Sequence, residues 1–293
     1  MLDRVVPYSI YPNLEYIIID GGSRDGSVYG GMQFLRRFFG ANETREELFL
    51  FVHVPKTGGQ TLRDCFIRQL VFHREFIHLG PTGERKAAEL GLLPFEERSP
   101  QERAQAKIIL GHKVDCRTHC LVAGKIPRYI TFLRDTAEVI VSLYNFRMVF
   151  KPPHQRLEKE PPLPFEAWYR DERYSNFMVR WILTAFLKEK APTKISLSEL
   201  RRVNAALEQF WFVGCTEFLD RDGPLLLKRM GIPPDLQRTN VGGVRYPKRL
   251  TLDDSLRDWL YKKSPADVEL YGTWKERLPE SLARLKEIND SLT

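Results

Sequence analysis

The residues best suited to chemistry form a short loop after an apolar run. Residues 48–54 are apolar apart from one histidine, and Pro-Lys-Thr-Gly-Gly-Gln-Thr follows over 55–61. Adjacent glycines let backbone N–H groups approach an anion closely, and a helix beginning behind them adds positive potential. The pattern predicts a phosphate or sulfate site. Its expected ligands are Lys56, Thr57, Gly58, Gly59, Gln60 and Thr61.

A second anion site is predicted around Arg134 and Ser142. Arg134 ends an apolar strand pattern, and Asp135 or Thr136 is a suitable N-cap for a helix that carries Ser142. A guanidinium fork and a hydroxyl that converge from neighbouring elements suit a phosphate monoester. An apolar stripe is expected along the same helix at Val139, Ile140, Leu143 and Phe146.

His112 is the candidate general base. The short apolar run 108–110 ends in Gly111-His112, and neutral imidazole can accept a proton near neutral pH. A capping or packing role for His112 stays open. Of the other histidines, His53 is expected to be buried in the first strand, whereas His119 and His154 have no predicted role.

The elements that must position these residues form an α/β fold. Each apolar run predicts a strand that ends in a glycine or polar residue, and helical patterns follow the first and third runs. Because the carboxyl ends of parallel strands meet at one edge, the predicted residues should converge there. We expect a three-layer, P-loop-like fold whose central, mainly parallel sheet is flanked by helices.

The order of residues in the first loop differs from a Walker A motif, where two glycines precede the lysine. Here Lys56 precedes Gly58 and Gly59. This order resembles the 5′-phosphosulfate loop of sulfotransferases that use 3′-phosphoadenosine 5′-phosphosulfate (PAPS). It is most similar to the branch with the heparan sulfate 2-O- and 6-O-sulfotransferases. Gln60 and Thr136 depart from that pattern, which usually has a small hydroxyl residue and a proline there.

The resemblance extends over roughly residues 46–275 and implies an activity. A sulfuryl group would pass in line from PAPS to a hydroxyl of a carbohydrate-like acceptor, leaving 3′-phosphoadenosine 5′-phosphate (PAP). Lys56 and its loop would neutralise the developing charge, Arg134 and Ser142 would hold the 3′-phosphate, and His112 would be the base. No metal is expected, because the transferring group carries less charge than a phosphoryl group.

The same resemblance assigns residues outside the two motifs. Arg245 and Lys248 lie in a segment similar to the loop that closes over the 3′-phosphate. Asn176 and Arg180 lie in a segment similar to the helix that lines the acceptor cleft, although a solvated helix face also suits Arg180. The determinants of the acceptor are expected in the variable segments 73–105 and 150–175.

The N-terminal segment follows a different pattern. Residues 7–40 contain Asp-Gly-Gly-Ser-Arg-Asp-Gly at 20–26, which resembles a fragment of a nucleotide-sugar glycosyltransferase. Such a domain needs at least ~100 residues, so we expect no glycosyl transfer here. The predicted units are a glycosyltransferase-like remnant at 1–45 and a sulfotransferase domain at 46–293. An association with a separate glycosyltransferase is a further hypothesis.

Composition restricts the partners. The net charge of +7 suits an anionic cofactor, whereas a nucleic-acid binder is disfavoured because no nucleic-acid motif is present and basic residues are dispersed. No apolar run reaches the ~18 residues of a membrane span, so a soluble, cytoplasmic protein is expected. A P-loop-type kinase and a cofactor-binding module without activity are the alternative functions.

Overall fold

A computed structural model describes residues 46–150, 163–237 and 249–286, without the side chains of residues 149 and 150. The described residues all belong to one compact unit, Glu46–Thr293. The glycosyltransferase-like segment, Arg245 and Lys248 lie outside the described residues, so the expectations about them stay predictions. In the described ranges no helix has the length and apolar character needed to cross a membrane.

A single five-stranded sheet forms the centre of this unit. All its pairings within the described ranges are parallel, and the strand order is β2-β3-β1-β4-β5. Every residue of β2, β3 and β5 is buried, so both faces of these strands are covered. The strands are β1 Glu47–Val52, β2 Phe76–Leu79, β3 Ile108–Gly111, β4 Ile126–Leu133 and β5 Phe212–Cys215.

Helices connect and flank the strands, as parallel pairing requires. The α-helices are α1 Gly59–Gln69, α2 Pro81–Glu89, α3 Pro100–Ala104, α4 Thr136–Tyr144, α5 Phe165–Tyr169, α6 Phe177–Trp181, α7 Leu197–Glu208, α8 Leu219–Arg229, α9 Asp254–Lys263, α10 Pro265–Glu276 and α11 Leu278–Lys286. Wider π-helical turns continue α4 and α6, at Asn145–Phe150 and Ile182–Phe186. The predicted α/β fold with a parallel sheet between helices is confirmed.

Three phenylalanines brace the sheet below its carboxyl edge. The ring centres of Phe51 and Phe132 lie 6.0 Å apart, and those of Phe132 and Phe212 lie 5.7 Å apart. All three side chains are buried, and burial of each contributes about 1.5–3 kcal/mol. This row spans β1, β4 and β5 and fixes the spacing between the loops that follow the strands.

The helix after β4 begins as predicted and ends differently. Asp135 is its N-cap, and its carboxylate accepts a hydrogen bond from the Glu138 N–H at 3.1 Å. Phe146, expected on the buried stripe, is 40% exposed. The cause is the π-helical turn that begins at Asn145, because a wider turn shifts later side chains off the α-helical stripe.

Candidate active site

One large cavity lies at the carboxyl ends of the central strands. Its volume is about 1050 Å³, which is at the upper end of the ~300–1,000 Å³ typical of small-molecule sites. Loops after β1, β2, β3, β4 and β5 all contribute to its wall. The predicted residues that line it are Lys56, Gly58, Gly59, Gln60, Thr61, His112, Arg134 and Ser142.

The loop between β1 and α1 has a backbone that only certain residues adopt easily. Lys56 and Gly58 both have left-handed conformations, with φ of 71° and 86°. A side chain at Gly58 would also lie 2.9 Å from Leu219 Cδ2. No side chain caps α1. The Thr61 N–H donates to the Gly58 carbonyl at 3.0 Å, which leaves the N–H groups of Gly59 and Gln60 at the helix start for an anion.

Thr57 supports this loop from behind. Its side chain is fully buried, and its hydroxyl donates a hydrogen bond to the Val54 carbonyl at 2.8 Å. Thr57 does not line the cavity. The Thr57 hydroxyl therefore has a structural role in holding the loop, and the expectation that Thr57 binds the cofactor stays a prediction.

Lys56 points its charge at an aromatic ring. Its Nζ lies 4.5 Å from the centre of the Phe146 ring, and no carboxylate pairs with it among the described residues. Burial, followed by repulsion from Arg134, lowers the pKa of Lys56 to about 8. A bound anion would stabilise the ammonium and oppose both effects.

Arg134 meets carboxylates as well as the first loop. Its guanidinium donates to the Lys56 carbonyl at 3.2 Å and to Glu138 at 3.1 Å. Arg257 of α9 approaches the other oxygen of Glu138 at 3.5 Å and also pairs with Asp135 at 3.0 Å. Two arginines therefore share Glu138 at the cavity wall, and the sequence predicted only Arg134. Arg257 lies outside both predicted motifs, because α9 is more than 100 residues further along the chain than Arg134.

His112 follows β3 and is exposed on the cavity side of the sheet edge. Its Nδ1 lies 2.8 Å from the His53 carbonyl. Because a carbonyl oxygen only accepts hydrogen bonds, Nδ1 carries the proton and Nε2 of the neutral ring keeps its lone pair. The surrounding protein atoms lower the pKa of His112, an effect partly opposed by the bond to His53. Neutral His112 is thus suited to accept a proton.

Two further histidines line the cavity, and neither was assigned to it from the sequence. β1 ends at Val52, so His53 follows the strand, lines the cavity and is only partly buried, contrary to the expected burial within β1. His78 belongs to β2, where burial lowers its pKa to about 4. His78 lies within the segment 73–105, which the sequence predicts to be variable, and four residues of β2 give too short a pattern to mark a strand there.

The comparisons with known proteins add little to this geometry. No family model and no curated protein matches the sequence. Among solved structures, the chain is similar to a sulfotransferase from Alicyclobacillus acidocaldarius. The identity is 13%, the TM-score is 0.39, and the alignment covers 78% of this chain and 95% of the other. At this similarity the function has to be inferred from the cavity itself.

The expected acceptor residues Asn176 and Arg180 do not line the cavity. Asn176 is buried, and its Oδ1 accepts hydrogen bonds from the N–H groups of Ala266 and Asp267 at 2.9 and 3.3 Å. Asp267 in turn accepts bonds from the first N–H groups of α6. The two residues therefore cap each other's helices.

Arg180 is likewise occupied by backbone. Its guanidinium donates to the carbonyls of Ser175, Pro192 and Thr193, with the Ser175 bond at 2.8 Å. These bonds tie α6 to the segment before α7. The residues whose carbonyls bind Arg180 do not line the cavity, so these bonds give its side chain a structural role, and the substrate role implied by the resemblance stays a prediction.

Proposed function

We propose that this protein is a PAPS-dependent sulfotransferase. The observation that carries the proposal is that one cavity collects an anion loop with Lys56, an Arg134–Ser142 pair and a neutral His112. These groups follow β1, β4 and β3, which are neighbours in the sheet. Two anion sites beside a proton acceptor suit transfer of a charged group from a bisphosphorylated nucleotide.

The residues present fit such a donor. Gly58 and Gly59 line the cavity, and each must be glycine because a side chain would lie within 3 Å of Leu219 or His53. Lys56 and its loop would hold the 5′-phosphosulfate, and Arg134 with Ser142 would hold the 3′-phosphate. Arg257, which shares Glu138 with Arg134, would add a second guanidinium on that side.

The donor supplies the sulfuryl group: its sulfur–oxygen bridge breaks, a sulfur–oxygen bond to the acceptor forms, and PAP leaves. Lys56 and the first N–H groups of α1 stabilise the negative charge that collects on the leaving phosphate. His112 accepts the proton of the acceptor hydroxyl at Nε2, since Nδ1 is already committed to the His53 carbonyl. Arg134 and Ser142 orient the donor.

We propose a saccharide hydroxyl as the acceptor. The support is the resemblance of the loop to glycan sulfotransferases, together with the parts of the wall that come from the two variable segments. Gly80, Pro81 and Thr82 line the cavity after β2, and Tyr174 lines it from the second segment. These residues supply backbone amides, hydroxyls and an aromatic ring, which are groups that bind saccharides.

Transfer of radiolabelled sulfur from PAPS tests this function. The protein is incubated with labelled PAPS and a panel of oligosaccharides, with His112→Ala and Lys56→Ala as controls. The proposal is supported if the parent protein labels a saccharide and neither variant does. Tight PAP binding without transfer to any acceptor would instead indicate a cofactor-binding module.

A further inference from the structure

The imidazole rings of His53 and His112 stack. Their centres lie 4.3 Å apart and their planes are inclined by 19°. Both side chains line the cavity. A ring packed face to face restricts rotation of its neighbour about the side-chain torsions, so the orientation of His112 depends on where His53 is held.

His53 itself is held by the start of α1. A Cβ atom added to Gly59 would lie 2.2 Å from His53 Cδ2, so the imidazole lies directly against the backbone of this glycine. The same imidazole stacks on His112. The His53 ring therefore packs against both a helix start that belongs to the anion loop and the candidate base.

The backbone of His53 makes a second contact with the same partner. Its carbonyl accepts the hydrogen bond from His112 Nδ1 at 2.8 Å. The carbonyl fixes which nitrogen carries the proton, and the ring fixes the plane of the imidazole. On its other side His112 meets the edge of Trp181, with ring centres 6.1 Å apart.

The charged groups around the stack are mostly basic. Burial lowers the pKa of His53 most, and His112, His78 of β2, Arg63 of α1 and Lys56 of the loop lower it further. Arg63 has the same effect on His112. Lys113, the next residue, is paired with Glu84 at 2.7 Å. A proton on either ring would thus sit beside like charge and under partial cover from water.

We propose that His53 is a positioning residue whose ring and carbonyl hold His112 oriented with Nε2 free. The inference rests on the proposed function, because it gives His112 the role of base. It extends that function to His53, which acts through His112. In this role His53 does not contact the transferred group, and its ring nitrogens do not take the transferred proton. The His53 side chain thereby connects the donor-binding loop to the base, His112.

Two substitutions separate positioning from proton transfer. His53→Ala removes the ring and keeps the carbonyl, and we expect kcat to fall about 10- to 100-fold, as a small misplacement of a catalytic group does. His53→Phe keeps a flat ring that cannot titrate, and kcat should stay within about 3-fold of the parent protein. PAP affinity should change little in either variant. His119→Ala is the control, because His119 packs on Tyr129 and does not line the cavity.

NMR can measure the pH at which His112 titrates. This value does not change merely because a variant is less stable. In His53→Ala water reaches the exposed face of His112, so His112 should titrate at a higher pH than in the parent protein. In His53→Phe the titration should be unchanged. If His53→Ala does not fold, His53→Leu, which fills the space without a planar ring, takes its place and its kcat carries the test.

The two proposals fail in different ways. A chain that transfers no sulfur contradicts the proposed function, while the NMR titration still tests the stack. Parental kcat and His112 titration in His53→Ala would overturn the positioning role. So would equal losses of kcat in folded His53→Phe and His53→Ala, since that result would require an imidazole that itself exchanges protons.

Discussion

Arg134 is bound to Glu138 at a distance of 3.1 Å inside the cavity where we place the 3′-phosphate. The carboxylate occupies a guanidinium that the phosphate needs, and it repels the phosphate as well. We expect Glu138→Gln to bind PAP about 2- to 5-fold more tightly, since partly exposed pairs contribute at most about 1 kcal/mol. Calorimetric titration with PAP measures this change.

A matched control exists for this substitution. Arg85 and Glu89 form another arginine–glutamate pair one helical turn apart, 3.8 Å from each other and away from the cavity. Glu89→Gln should leave PAP affinity unchanged. Weaker PAP binding in Glu138→Gln would show that Glu138 orders Arg134 for the ligand and does not compete with it.

Lys56→Ala should reduce the rate of sulfuryl transfer by a factor of about 100–1,000, the usual cost of losing one donor that stabilises transition-state charge. Lys86 provides the control, because its ammonium also lies over an aromatic ring, Phe72, at 5.8 Å but does not line the cavity. Lys86→Ala should retain the parental rate in single-turnover assays. Equal rates for the two variants would remove Lys56 from the mechanism.

The pH dependence of kcat/KM should be bell-shaped, because this constant reports groups of the free enzyme. The rate should rise with pH as His112 loses its proton, and this limb should lie below about pH 6.5 since the protein atoms around His112 exclude part of its water and lower its pKa. Above about pH 8 the rate should fall as Lys56, whose pKa is about 8, loses its charge.

Lys56→Arg distinguishes the two limbs. A guanidinium stays protonated throughout the accessible range, so the alkaline limb should disappear while the acid limb stays in place. An alkaline limb that persists in Lys56→Arg would mean that another group, and not Lys56, titrates near pH 8.

Asn176→Ala should destabilise the fold without changing catalysis. It leaves two N–H groups at the start of α10 without their acceptor, and each such buried group costs about 1–3 kcal/mol. Urea unfolding should show a loss of about 2–4 kcal/mol, whereas KM values measured on folded protein should not change. Asn204→Ala, which removes one bond to Trp274, should cost less. A raised KM for the acceptor would restore the role predicted from the sequence.

The sheet and most of the site followed from local signals. Four of the strands are apolar runs that contain or precede a glycine or a polar residue: β1, β3, β4 and β5. The loop after β1 also has its own glycines. β2 was missed because a four-residue strand inside a charged segment has too little pattern to be separated from a loop. His78 was missed with it.

Other parts of the site depend on distant contacts. Asn176 has the residue type of a ligand and of a helix cap, and only the approach of α10 decides between them. Phe146 was predicted on the apolar stripe of α4, but it lies in the π-helical turn that follows α4, with its ring 4.5 Å from Lys56 Nζ. Arg257 joins Glu138 from a helix that the sequence could not place near β4.

The central claim is that the cavity recognises a nucleotide with both a 5′- and a 3′-phosphate. Calorimetric titration of the full chain with PAP, ADP and ATP measures it directly. We expect PAP to bind about 10-fold or more tightly than ADP, because charged hydrogen bonds to a 3′-phosphate contribute about 1.5–3 kcal/mol. Equal affinities for PAP and ADP, or tighter binding of ATP, would contradict the sulfotransferase assignment.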